Sequence, residues 1–205
     1  MKKRLFFGLL LIGMALTLTS CFVHSSLMYF EKDTEGLPNL LSNPGFNAYS
    51  LDPRESLKGW SVLIEPADQE QTPPNIVFID GERALHGSSS LRIDASPYKV
   101  SIISDPFKVN RYGGYYVRCY TCSSEPKGPQ INLRMLTFKA DGSIDKKFKD
   151  NIQSKNEWDK MSISAGFLSP GVSFGRVIIE IPPFTQGSVW IDDAGCWEVH
   201  HFKID

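Results

Sequence analysis

VWIDDAGCWEV, residues 189–199, reads as a strand with an interruption at its centre. Apolar and aromatic residues flank Asp192 and Asp193, which stand side by side. Successive strand side chains point to opposite faces, so at least one of the two carboxylates is directed toward a packed interior. An unpaired buried carboxylate is costly, and the pair therefore calls for a compensating partner.

The stretches upstream carry the same strand signature. Short runs rich in β-branched and aromatic residues recur at 57–65, 75–80, 89–94, 99–104, 114–122, 130–138, 158–166, 175–181 and 188–199, with most of the Gly and Pro between them. No stretch after Leu18 sustains a helical apolar period over three turns, and evenly spaced short strands predict a β-sandwich or barrel. Residues 140–157, ADGSIDKKFKDNIQSKNE, are the most polar and are expected to turn at Ala140–Ser143 and then make an exposed excursion.

The N-terminus sets the compartment. Lys2, Lys3 and Arg4 precede an apolar run from Leu5 to Leu18, and small residues lead into Cys21, the layout of a secretory signal peptide. The run is shorter than the roughly 20 residues of a spanning helix. Leu18-Thr-Ser-Cys21 resembles the bacterial lipobox, which implies cleavage before Cys21, lipidation of its thiol and a membrane anchor of several acyl chains. Phe22, rather than Asp, after that cysteine favours the outer membrane or cell surface by the enterobacterial sorting rule. The expected division is a signal peptide at 1–20, a lipid-anchored spacer at 21–36 and one domain at 37–205. The spacer carries Leu27, Met28, Tyr29 and Phe30, so packing against the domain is open to it. Loss of residues 1–20 removes three positive charges and no acid, which takes the formal charge from −1 to −4. No basic concentration suggests a nucleic-acid partner.

Three cysteines remain after Cys21: Cys119, Cys122 and Cys196. Cys119-Tyr-Thr-Cys122 matches C-x-x-C, but a redox site of that kind opens a helix, and these residues sit in a strand. They are expected to be buried small residues, or one of them to bridge to Cys196.

Alternation assigns the faces. Ile131, Leu133 and Met135 oppose Asn132, Arg134 and Leu136; Tyr115, Val117 and Cys119 oppose Tyr116, Arg118 and Tyr120; Val177, Ile179 and Ile181 oppose Arg176, Ile178 and Glu180. If the three strands are neighbours in one sheet, Tyr116, Arg118, Tyr120, Asn132, Arg134, Arg176 and Glu180 share a ligand-binding surface. Rings there would stack on apolar faces while Arg and Asn donate to oxygen-rich ligands; the alternative is an ordinary solvated sheet face.

Four segments carry a resemblance. Residues 39–47, NLLSNPGFN, followed by Lys58-Gly-Trp60, His86-Gly-Ser-Ser-Ser-Leu-Arg92 and Val189-Trp-Ile-Asp-Asp193 resemble, in order, the N-L-x-x-N-G-x-F-E, G-W, G-x-x-S-L-R and V-x-I-D-D segments of carbohydrate-binding modules with the galactose-binding-like jelly roll. Glu157-Trp158 resembles their late Glu-Trp step. The resemblance covers nearly all of 39–199 and implies an all-β jelly-roll β-sandwich with a glycan as ligand. It further implies a structural calcium between the first and last strands, with ligands among Gly45, Asn47, Ser88, Asp192 and Asp193. Asn47 stands where the family commonly has Glu, so the site would carry less charge. Trp60 and Trp158 fall at positions the family uses in its core, and Trp190 and Trp197 are expected to pack, which leaves Tyr98, Tyr112, Tyr116 and Tyr120 for ring stacking.

Enzyme motifs are weak. Gly171-Val-Ser-Phe-Gly175 matches G-x-S-x-G, but it runs straight into a strand where a hydrolase needs a strand–turn–helix elbow. His200 and His201 are adjacent on a strand, so they point apart. The expectation is a binding module without catalysis, with carbohydrate as the first ligand class and an envelope or host protein as the second.

Overall fold

The structure is a computed structural model that describes residues 27–47, 57–65 and 75–202. The expected signal peptide and Cys21 lie outside these residues. The described chain forms β1 (Trp60–Glu65), β2 (Val77–Asp80), β3 (Ser90–Ser96), β4 (Lys99–Ser104), β5 (Phe107–Lys108), β6 (Gly113–Ser123), β7 (Gln130–Lys139), β8 (Ile144–Gln153), β9 (Asp159–Ala165), β10 (Val172–Ile181) and β11 (Phe184–His201). They make two sheets. The first runs β1-β4-β10-β7-β8, with β5 also on β10; the second runs β2-β3-β11-β6-β9. Every strand pairing is antiparallel.

The period-2 pattern drives this assembly. Ile131, Leu133 and Met135 of β7 and Val177, Ile179 and Ile181 of β10 face Tyr115, Val117 and Cys119 of β6 and Val189 and Ile191 of β11 across one shared core. Burying each large aliphatic side chain contributes about 1.5–3 kcal/mol, and the two inner faces together close a β-sandwich. The architecture is the jelly-roll β-sandwich that the sequence predicts.

Two local expectations need correction. The polar segment does turn at 140–143, where Gly142 takes φ 83°, but the exposed excursion is a ten-residue strand, β8. Phe148 and Ile152 pack against the core while Lys147, Lys149 and Asn151 are exposed. An edge strand keeps its outward face polar to deter pairing with other chains, and this masks its period. Trp158, expected in the core, is only half-buried, because it precedes β9 in a loop. Of the two alternatives open for the cysteines, the structure shows the first: Cys119, Cys122 and Cys196 are buried free thiols.

Two irregular segments position the functional residues. Asn39–Pro44 runs beside β11 beyond the end of its pairing with β3: Leu40 N–H donates to the Cys196 carbonyl and Ala194 N–H to that of Pro44. Asn39 spans the same edge, its Oδ1 accepting from Cys196 N–H. Trp60 is buried, donates Nε1–H to the Ser42 and Asn43 carbonyls and packs its ring 5.1 Å from Phe46. Residues 27–37 form a strap across the outer face of the second sheet, centred on a 3₁₀ turn at Glu31–Thr34.

Candidate functional site

The adjacent aspartates are separated by a bulge. Tyr120 and Arg118 of β6 pair with Asp192 and Gly195, so β11 holds one extra residue between them. Asp193 takes φ 48°, a left-handed conformation that Asp tolerates better than most residues. A bulge bends its strand and re-aims a side chain, and here it sends the two carboxylates to different partners.

Asp192 is fully buried. Its Oδ2 accepts from Leu85 N–H at 2.8 Å and His86 N–H at 3.0 Å, and its Oδ1 from Asp193 N–H at 2.7 Å. Burial raises its pKa, and the three backbone donors oppose that rise. Two of the other expected calcium ligands, Gly45 and Asn47, stand around it. A Cβ built on Gly45 would come 3.8 Å from Asp192 Oδ1, and one built on Gly87 would come 3.2 Å from Asn47 Oδ1. These glycines keep the space beside the carboxylate and the amide open. The donors there are hard oxygens and fit calcium in type, with Asp192 as the one carboxylate. Asp193 is turned away toward Arg118 and His86, and Ser88 is exposed with its carbonyl beside Gly81, so neither joins that space. Among the described residues, no three His, Cys, Asp or Glu side chains gather as a metal-binding group.

The single cation–aromatic surface expected from alternation divides in two. β6 belongs to the second sheet and β7 and β10 to the first, so Tyr116, Arg118 and Tyr120 lie on the opposite side of the sandwich from Asn132, Arg134, Arg176 and Glu180. The strap, moreover, covers the β6 half. Glu31 pairs with Arg118 and, at 2.6 Å, with Lys160, and Tyr120 Oη donates to the same carboxylate. Hydrogen bonding to Lys160, with Arg118 nearby, holds the Glu31 carboxyl below its ordinary range. Arg118 lies 5.0 Å over the buried Trp197 ring and also binds Asp193 at 2.7 Å. Tyr116 is 2% exposed, which leaves it no surface for a ligand. Of the other tyrosines, Tyr98 sits half-buried at the β3–β4 turn, and Tyr112 is half-buried under Arg111 beside His201.

Among the described residues, no segment crosses the outer face of the first sheet. Its register sets out three rows across the strands: Lys108–Phe174–Phe138, then Arg176–Leu136–Lys147, then Ile103–Ile178–Arg134–Lys149. Beside the last row, Glu180 pairs with Asn132 across the strands; its carboxylate binds Arg134 at 2.6 Å and Lys99 at 3.4 Å. Arg176 donates to the Ser104 carbonyl. Phe138 and Phe174 stack 4.9 Å apart and 9° from parallel. Phe174 and Arg176 also line a shallow depression of about 470 Å³ with Pro106, Phe107, Lys108 and Ser173. The expected site residues Asn132, Arg134, Arg176 and Glu180 are thus brought together, and Phe138 and Phe174 join them. Sequence reasoning missed both rings. Phe138 closes the alternating run 130–138 beyond the residues used to assign its faces, and Phe174 falls within the hydrolase-like motif.

That motif, Gly171–Gly175, leads into and along β10, and Ser173 pairs with neither histidine. The buried thiols of Cys119 and Cys196 are pushed well above the ordinary thiol range by desolvation, the reverse of an activated cysteine.

No family model matches the sequence and no curated protein matches it, whereas solved structures match over most of the chain. A family 61 carbohydrate-binding module, solved in complex with β-1,4-galactotriose, is 16% identical and aligns with 78% of this chain and 99% of its own at a TM-score of 0.55. A family 16 carbohydrate-binding module is 11% identical over 78% of this chain and all of its own, at 0.54. The enzymatically active domain of bacteriophage CBA120 tailspike protein 4 is 11% identical at 0.58, but this chain spans only 21% of its length. The protein is a jelly-roll β-sandwich of the type found in carbohydrate-binding modules.

Proposed function

We propose that the protein is a non-catalytic glycan-binding module that presents the outer face of its first sheet to the ligand. The observation that carries this reading is the juxtaposition of the stacked Phe138–Phe174 rings with Arg176 and the Arg134–Glu180–Asn132 cluster on one face that no other described segment covers. Aromatic faces stack against the C–H surface of a sugar ring, and charged or amide groups fix its hydroxyls. Fold alone does not specify a ligand; the chemistry of this face is what favours a glycan.

The same proposal places the protein at a bacterial envelope membrane, outer membrane or cell surface, through lipid on Cys21. From there to Leu27 the chain spans at most about 20 Å. The strap would therefore hold the second sheet toward the bilayer and the first sheet away from it. Calcium, held by Asp192, Asn47 and neighbouring carbonyls, would lock the 44–47 segment to β11.

A second reading has its own support. Among the described residues this face has no Tyr or Trp ledge, and Ile103, Ile178 and Leu136 form a half-buried apolar strip between the charged groups. That composition also fits an envelope or host protein as partner. Retention on a panel of immobilised polysaccharides separates the two. A glycan-binding face predicts specific retention of one class, weakened about tenfold by Phe174→Ala or Arg134→Ala. A folded sample retained by no glycan rejects the carbohydrate reading and turns the search to protein partners.

A further inference from the structure

Resting on the glycan-binding reading, we infer that the ligand is an anionic polysaccharide, one bearing carboxylate, sulfate or phosphate groups along its chain. The chain as a whole is slightly acidic, with a formal charge of −1, yet cations concentrate on the outer face of the first sheet. Lys108, Arg176, Lys147 and Lys149 occupy the outer positions of three successive rows. Among the described residues none of the four has an acidic partner, and Arg176 is held only through the Ser104 carbonyl. Arg134 stands directly opposite Lys149 on the neighbouring strand. Like charges facing each other across a strand pair are unfavourable; Glu180 offsets Arg134, but Lys149 has no acid of its own among the described residues, and an anion bound beside it would supply one.

The position of the acids supports the same conclusion. Glu180 is tied to both Arg134 and Lys99, which leaves the β8 side of the face with unopposed positive charge. That side adjoins the Phe138–Phe174 stack, where a sugar ring would lie. Cross-strand neighbours on one face stand about 5 Å apart, so the cations form a strip a few residues wide, matched to repeated charges on an extended polymer rather than to one isolated anion. Such a surface raises the local concentration of anionic ligand and speeds its capture.

The test uses the full chain in neutral detergent and two matched pairs: polygalacturonate against its fully methyl-esterified form, and dextran sulfate against dextran. Each pair differs in charge on a shared backbone. The expected result is at least tenfold stronger retention by the charged member of one pair. Added salt would reduce this preference, and the double variant K147Q/K149Q would weaken it about three- to tenfold at an unchanged melting temperature. Both lysines are exposed, so the variant is expected to fold. Which pair discriminates tells carboxylate from sulfate or phosphate. Equal retention within both pairs overturns the inference but leaves glycan binding standing. No retention by these polymers or by a neutral panel overturns both. A charge preference seen only between phosphatidylglycerol and phosphatidylcholine vesicles, and lost in K147Q/K149Q, overturns it in favour of a membrane surface.

Discussion

Asp193 and Arg118 are joined at 2.7 Å across the bulge of β11, and the same guanidinium receives Glu31 from the strap. One side chain therefore connects the last strand, the sixth strand and the N-terminal segment, while its plane covers Trp197. Removing it deprives the mostly buried Asp193 of its cation and leaves the half-exposed Glu31 with Lys160 alone. Arg118→Ala is expected to destabilise the domain by about 2–3 kcal/mol, read as a lower melting temperature. It should also raise the susceptibility of residues 27–37 to proteolysis. Unchanged protection of the strap would show that Arg118 does not hold it.

The pH dependence of the strap follows from Glu31, whose pKa is lowered in the folded state by its hydrogen bond to Lys160 and by Arg118. A carboxylate with a depressed folded-state pKa contributes stability that is fully present above its unfolded value and is lost as pH falls through the folded one. Strap protection should therefore be flat from neutral pH down to about 5 and fall below the ordinary glutamate value of 4.5. Hydrogen exchange at Tyr29 and Phe30, corrected for intrinsic rates, measures it. Glu31→Gln should abolish the transition.

Asp192 carries the opposite sign. Burial raises its pKa above 3.8, so without a cation its contribution is most favourable when protonated and declines as pH rises through the folded value. A calcium ion would reverse that slope by favouring the carboxylate. Added calcium is expected to raise the melting temperature at neutral pH, and EDTA to lower it, in the wild type but not in Asp192→Asn. The variant itself should lose about 1–3 kcal/mol, because an amide nitrogen cannot accept from the backbone donors that the carboxylate satisfies. No response to calcium or EDTA in the wild type would reject the metal.

The thiols give a test of fold integrity. Cys119 and Cys196 are fully buried with pKa values raised by desolvation, and Cys122 is buried and raised for the same reason. A maleimide should leave all three unmodified in the native protein and label them on unfolding. Native labelling at neutral pH, or a disulfide seen by mass spectrometry, would contradict this arrangement.

Much of the site was legible residue by residue. The alternation in β7 and β10 set Asn132, Arg134, Arg176 and Glu180 on outward faces, and they lie together because these two strands are neighbours. The same alternation in β6 was read correctly for Tyr116, Arg118 and Tyr120, yet it could not show that the strand belongs to the other sheet. β8 was hidden because an edge strand keeps its outward face charged. The covering of Arg118 left no local signal either, since Glu31 is separated from it by 87 residues.

By itself, then, the sequence determined most of the strands, the inward faces of β6, β7 and β10 and the anomaly at Asp192 and Asp193. All three depend on a two-residue period or on the identity of adjacent side chains. Only the tertiary structure decided which outward faces share a surface. Consecutive strands β6 and β7 lie in opposite sheets, and that choice comes from pairings distant in sequence: β6 with β9 and β11, and β7 with β10. The physical reason is that side-chain alternation is set by local backbone geometry, whereas strand order is set by how the whole chain closes one core.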